Sequence, residues 1–337
     1  MPRPTKTRAR KKRVTVQEIA RQADVSIGTV SRALNNAAGV DPETRERVLT
    51  LSRRLGVRPR RSGGLLHVAM IVTDRRDSMP GGYAPSILYE LVHELAARDI
   101  AMTLIPESDV EKISRHIYDG VLSAAWNPRV WEELDRLTHT PVVLLNRFEM
   151  ADRFHVVGWD HVAEGRAVAE YLISQGHERP AFVAISDANF SSKRRLEGFR
   201  DGCTKAGIGL PEERIEMLDS RSLLFAAIKR VVDHRADCIF LPGQNLFAAE
   251  ALSVLNAIGL RVPADISIVG GENPVWSELL NPPLTTIESP LRELAVLAVD
   301  HLLALVEKRK ARPTEVLLAT RIIERKSVRS RRLAATA

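Results

Sequence analysis

Sulfur and aromatic side chains are scarce: two cysteines, four tryptophans, four tyrosines and eight phenylalanines in 337 residues. Cys203 and Cys238 stand far apart in the chain. They form neither a zinc-ligand spacing nor a disulfide framework, which points to a reducing cytoplasm. No apolar run reaches the length of a membrane-spanning helix. The basic N-terminus has no apolar stretch after it, so it does not read as a secretion signal. No nucleophile elbow, Walker loop or glycine-rich dinucleotide fingerprint follows a strand, so neither an enzyme nor a cofactor is expected.

Acidic residues are also missing from residues 1–13, which hold seven Lys/Arg and two prolines. That composition predicts a disordered arm, either a solvated tail or a strand of charge laid along phosphates. Residues 1–61 carry 16 Lys/Arg against 5 Asp/Glu, whereas residues 62–337 carry 33 against 37. The basic charge is confined to the head of the chain, where a polyanion such as DNA would want it.

That head contains three helical patterns. Thr15 is a good N-cap for a helix ending near Ala23, and Ser26 can cap a second from Ile27 to Asn35. Ile19, Ala20, Val30 and Leu34 recur at helical spacing and would face one another. Asp41 and Pro42 start a third helix, with Val48, Leu51 and Leu55 as its apolar stripe and Gly56 at its end. Three short helices with a tight turn after the first describe a helix-turn-helix module, whose second helix enters the major groove. Its exposed face would carry Ile27, Gly28, Thr29, Ser31, Arg32 and Asn35. Hydroxyls and the amide suit phosphates; Arg32 suits the O6/N7 edge of guanine, and Ile27 a thymine methyl.

The run from Val14 to Asn35, Val-Thr-x-x-x-Ile-Ala-x-x-Ala-x-Val-Ser-x-x-Thr-Val-Ser-Arg-Ala-Leu-Asn, closely resembles the head of the LacI/GalR transcription regulators. Gly176-His177, the segment Ser191 to Phe199, the run Gly259 to Gly270, Pro282 to Ile287 and Arg325-Lys326-Ser327 resemble the same family. The resemblance spans about residues 14–330. It implies a homodimer that binds palindromic operator DNA, mostly as a repressor, in the cytoplasm on the nucleoid. It also implies a periplasmic-binding-protein-like body of two lobes with a small-molecule effector, a carbohydrate or derivative, in the cleft. The alternative is a sugar-binding sensor with a vestigial head that acts through a protein partner.

Two departures stand out. Family members continue past the head with a helical hinge that wedges a Leu into the minor groove. Here the chain reads Val57-Arg58-Pro59-Arg60-Arg61-Ser62-Gly63-Gly64, and two glycines oppose a helix. No hinge helix is expected; Arg58, Arg60 and Arg61 either grip DNA backbone or belong to a plain linker. The stretch between Ile105 and Asp119 is also short, which predicts a clipped second helix in the first lobe.

From Leu66 onward, apolar runs of strand length alternate with helical stretches, so parallel sheets flanked by helices are expected. This α/β body reads as two lobes, about 66–147 plus part of 288–330, and about 153–284. With the arm (1–13), head (14–58), hinge (59–65) and tail (331–337), it completes the expected organisation. Ligands bind such sheets at the carboxyl ends of their strands. The family pocket, carried over by position, implies Asp74, Tyr83, Ser86, Trp126, Asn146, Arg147, Asp160, Phe190, Arg195, Gln244, Glu272 and Trp276. Arg195 would hold ligand oxygens with its planar fork. Gln244 and Glu272 replace the usual Asn-Asp and Asp, which argues against an ordinary unmodified hexose. No metal site is expected.

Overall fold

The computed structural model describes residues 16–34, 37–55, 66–73, 82–125, 127–137, 139–185, 190–243, 245–271, 276–308 and 312–331. The head consists of α1 (Val16–Ala23), α2 (Ile27–Leu34) and α3 (Pro42–Leu55). Ser26 Oγ accepts from Thr29 N at 3.0 Å, and Asp41 Oδ1 accepts from Thr44 N at 2.9 Å. Both caps satisfy amides that have no partner inside their helices. Thr15, the expected cap of α1, lies outside the described residues, as do Asn35, Arg58, Arg60 and Arg61 and with them the hinge. Ile19, Ala20, Ala23, Val30, Ala33, Leu34, Val48 and Leu49 form the head's core, and Ile117 of the body packs against it. Asp24 makes the tight turn with φ at +53°, and Val25 N closes it on Ala20 O at 3.1 Å.

Among the described residues, the body forms two six-stranded sheets. The first contains β1 (His67–Val72), β2 (Ala101–Pro106), β3 (Gly120–Ser123), β4 (Val142–Leu145), β5 (His155–Trp159) and β11 (Glu315–Leu318), in the order β11-β5-β4-β3-β1-β2. All its pairings are parallel. The second contains β6 (Pro180–Ile185), β7 (Ile215–Leu218), β8 (Cys238–Leu241), β9 (Ser267–Gly271), β10 (Thr285–Ile287) and β12 (Ile322–Ile323), in the order β12-β10-β9-β8-β6-β7. Among the described residues, only β12 runs antiparallel to its neighbour. Between the strands run α4 (Tyr83–Ala96), α5 (Pro128–Asp135), α6 (His161–Ser174), α7 (Phe190–Lys205), α8 (Leu224–Asp233), α9 (Asn245–Ala257) and α10 (Leu291–Lys308). Strands such as β3, β4, β8 and β9 are buried along their whole length, as parallel strands covered on both faces must be.

The lobe boundary differs from the sequence expectation. The break near 148–153 separates two strands of the same sheet, because β5 pairs with β4 and β11. A short 3-10 turn, Phe148–Met150, makes the connection. The chain leaves the first sheet only after Trp159. It crosses twice more: α10 returns to the first core through Leu294, Ala298 and Leu302, and the last strands divide, β11 to one sheet and β12 to the other. Between β2 and β3 the expected clipped helix is a 3-10 segment, Glu107–Arg115, irregular at Asp109. Four strands carry little apolar pattern in the sequence. β7 alternates buried and half-buried residues around a buried Glu216, and β10, β11 and β12 are only two to four residues long.

The returning segments are pinned to β5 by polar contacts. His155 Nδ1, His301 Nε2 and Thr314 Oγ1 lie 3.0–3.1 Å from one another. Burial holds both rings below the ordinary histidine value, and His301 adds charge repulsion on His155. Below about pH 6.5 the unfolded chain takes up protons that these folded rings refuse. Stability therefore falls as the pH drops from 7 to 5.5. The melting temperature across that range reports it, and His301→Gln makes the fall shallower. An equally steep fall in both proteins would contradict this assignment.

Candidate functional site

The head presents an exposed face along α2. Ser26, Ile27, Gly28, Ser31 and Arg32 are exposed on α2, while Val30, Ala33 and Leu34 point into the core. Ile27 is 52% exposed, which is unusual for a large apolar side chain on a short polar face. A methyl added at Gly28 would meet nothing closer than Ser26 Oγ at 3.6 Å. The fold therefore does not demand glycine there, and the bare position is free for close approach by a base edge. Thr29 is tied to the cap through Ser26 Oγ at 2.9 Å, so these two hydroxyls act as a pair.

The second site lies where the chain crosses between the lobes. Asn146 follows β4 with φ at +57°, a conformation that costs a non-glycine residue and tends to mark functional positions. Its amide donates to Tyr83 Oη at 3.0 Å, and its carbonyl accepts from Trp159 N at 3.1 Å. Gly158 makes this possible, since a Cβ there would lie 2.2 Å from Asn146 Oδ1. Burial pushes the Tyr83 hydroxyl well above its ordinary value, so it stays protonated. Arg147, almost fully buried, donates to Glu149 Oε1 at 2.8 Å.

Beyond the crossing, Asp160 caps α6, with Oδ1 accepting from Val162 N and Ala163 N at 2.8 and 3.1 Å. One oxygen of this candidate ligand residue is thus committed to the helix N-terminus. Three donors then converge on one buried oxygen, Glu164 Oε2. They are Arg195 Nε at 2.8 Å, His161 Nδ1 at 3.0 Å and Trp159 Nε1 at 3.2 Å. Burial alone would raise the Glu164 carboxyl. The Arg195 charge, with hydrogen bonds from His161 and Arg195, outweighs it and holds the group below the usual range. Burial and the Arg195 charge push His161 down.

The helices that carry this cluster touch backbone to backbone. A Cβ on Gly165 of α6 would lie 2.0 Å from Arg195 O, and one on Gly198 of α7 would lie 1.8 Å from Val162 O. Only glycine permits that approach, which seats Glu164 beside Arg195.

The structure thus brings together Tyr83, Asn146, Arg147 and Arg195, with Asp160 at the edge. Ser86 lies on the next turn of α4 from Tyr83. Trp276 is about half exposed, beyond β9. Trp159 is buried in the first core. Asp74, Trp126, Gln244, Glu272 and the Phe190 side chain lie outside the described residues. Sequence reasoning missed Glu164 and His161. The available signal was a carboxylate on the face of α6 that otherwise carries Gly165, Val168, Ala169 and Leu172. Elsewhere, donors of His177, Asp237 and Cys238 lie within 4.8 Å of one another. Asp237 already accepts from Glu178 N and Arg179 N at 3.1 Å each, so it ties the start of β6 to that of β8.

Residues 15–59 match the lacI family of bacterial regulatory proteins, and residues 169–328 match a periplasmic binding protein-like domain. The chain belongs to the LacI/GalR family. It is a sequence-specific DNA-binding transcription regulator. It is 28% identical over 309 residues to the transcriptional regulator GalS of Salmonella typhimurium, covering 85% of this chain and 88% of that protein. Identity to the regulator CelR of Thermobifida fusca is 27% over 347 residues, covering 94% and 99%. The solved complex of CelR with cellobiose superposes with a TM-score of 0.68 at 26% identity, covering 94% of this chain and 100% of that one. A lac repressor dimer bound to operator and an anti-inducer shares the fold, with a TM-score of 0.67 at 23% identity and coverage of 94% and 100%. Among the described residues of this regulator, no helix is long and apolar enough to cross a membrane.

The glycine contacts give a direct check on the second site. Gly198→Ala should lower stability by about 3 kcal/mol or more, since backbone cannot yield as a side chain can. Thermal unfolding measures it; a loss under about 1 kcal/mol would mean that α6 and α7 separate easily.

Proposed function

We propose that this regulator is a homodimeric, cytoplasmic repressor whose operator affinity is set by a small carbohydrate-like molecule in the interlobe cleft. The division that supports this is a DNA-binding head over 14–58, a short linker over 59–65 and a two-lobed body from 66. The carrying observation is the exposed face of α2, with Ile27, Gly28 and Arg32 presented to solvent. Ser26, Thr29 and Ser31, together with Thr15, Asn35, Arg58, Arg60 and Arg61, are assigned to phosphates, and Arg32 and Ile27 to base edges. Tyr83, Asn146 and Arg195 are the core of the effector seat, and the cellobiose complex of CelR supports a carbohydrate there. An effector shifts operator affinity only by binding one lobe arrangement better than the other.

A dimer accounts for exposed apolar residues on both lobes. Tyr89 and Val92 on α4 and Leu104 on edge strand β2 line one patch; Phe225 on α8, with Leu223 and Leu279 (74% exposed), contributes on the other lobe. A twofold interface uses the same patch on both copies, and two heads then read two half-sites.

Arg32→Ala should cost about 1–3 kcal/mol per half-site and relax specificity at the base pair that it reads. Fluorescence anisotropy with an operator selected from a random library measures it; unchanged occupancy would remove α2 as the reading element. Tyr89→Asp combined with Leu279→Asp should give monomers in sedimentation analysis and weaken operator binding.

A further inference from the structure

The cluster at the lobe crossing bears on which effectors the cleft admits, and the inference rests on that cleft being the effector seat. Arg195 is the residue whose charge would recruit a carboxylate or phosphate on a ligand. Here its Nε is given to Glu164 Oε2, together with Trp159 Nε1 and His161 Nδ1. Glu164 and Arg195 are both buried, so no bulk water screens the pair. Arg147 is balanced in the same way by Glu149. The described floor of the site thus carries two arginines, each already facing a carboxylate of the chain itself.

We propose that Glu164 is a specificity determinant: it fills the anion seat of Arg195, so the cleft accepts uncharged, hydroxyl-bearing effectors and rejects carboxylated or phosphorylated ones. An acidic ligand reaching for Arg195 places a second negative charge beside Glu164. At a separation of about 5 Å and an effective dielectric near 20, that repulsion weakens binding by roughly two orders of magnitude. A ligand hydroxyl carries no such cost and can hydrogen-bond either member of the pair. The donors themselves are built for an anion: guanidinium, imidazole and indole N–H all lie within 3.2 Å of one oxygen.

Removing the internal carboxylate should therefore open the seat. The full-length protein and its Glu164→Ala variant are titrated with acetate and inorganic phosphate at constant ionic strength, read by calorimetry and thermal shift. The variant should melt lower, recover with acetate, and bind these anions at least about tenfold tighter than the parent. Adding Arg195→Met should abolish the gain. Glu164→Gln, which keeps the volume and loses the charge, covers a Glu164→Ala protein that does not fold; it should bind glucuronate at least about tenfold tighter than the parent. The proposal is overturned if the parent binds glucuronate or phosphate saturably through Arg195, or if the folded variants gain nothing. Failure of the effector reading looks different: no sugar, neutral or acidic, changes the parent's operator affinity, while the anion gain in Glu164→Ala persists.

Discussion

Backbone contact between α6 and α7 is the constraint on which the cleft depends. Gly165 and Gly198 remove the Cβ atoms that would hold these helices apart. The helices then lie close enough for a carboxylate on one to meet a guanidinium on the other without solvent between them. A buried ion pair gains little net stability over a well-packed apolar pair. Its value here is geometric: the pair orients α7 against α6, and Trp159 extends the contact to the last residue of β5 in the first lobe. One carboxylate oxygen thereby links a strand of one lobe to two helices of the other.

That link stands at a place set by the sheet architecture. Parallel strands direct their carboxyl ends to one edge, and each helix starts there with unsatisfied N–H groups. Tyr83 opens α4, Asn146 follows β4, and Asp160 caps α6, so polar groups gather at the crossing while both cores stay apolar. The chain passes between the lobes near this same edge, so any molecule that bridges them acts close to the crossing. The head is a separate unit with a small core of its own, and the chain's excess positive charge is carried mainly by the arm before it, residues 1–13. Ile117, just ahead of β3, is a body residue that packs against that core.

The head was legible because its signals are local. Caps at Ser26 and Asp41, the turn at Asp24 and the apolar spacing from Ile19 to Leu34 all operate within a few residues. Most strands of the body were legible for a similar reason, since fully buried parallel strands read as short apolar runs. The boundary of the first lobe was not. Phe148–Met150 looks like a domain break, yet β5 pairs back to β4 because its true partner on the other side, β11, lies some 160 residues later. β10 and β12 were equally hidden, being too short to show a pattern before their neighbours are known.

The sequence by itself determined the helix-turn-helix, the polarity of charge along the chain and the α/β class of the body. These follow from periodicity, capping and composition, which need no distant partner. Only the tertiary structure decided what Arg195 faces. Its segment reads as a ligand-binding one, but Glu164 lies 31 positions away and meets it only because two glycines let the helices touch. The protonation and partners of a buried group depend on what packs around it, and that information is not local in the chain.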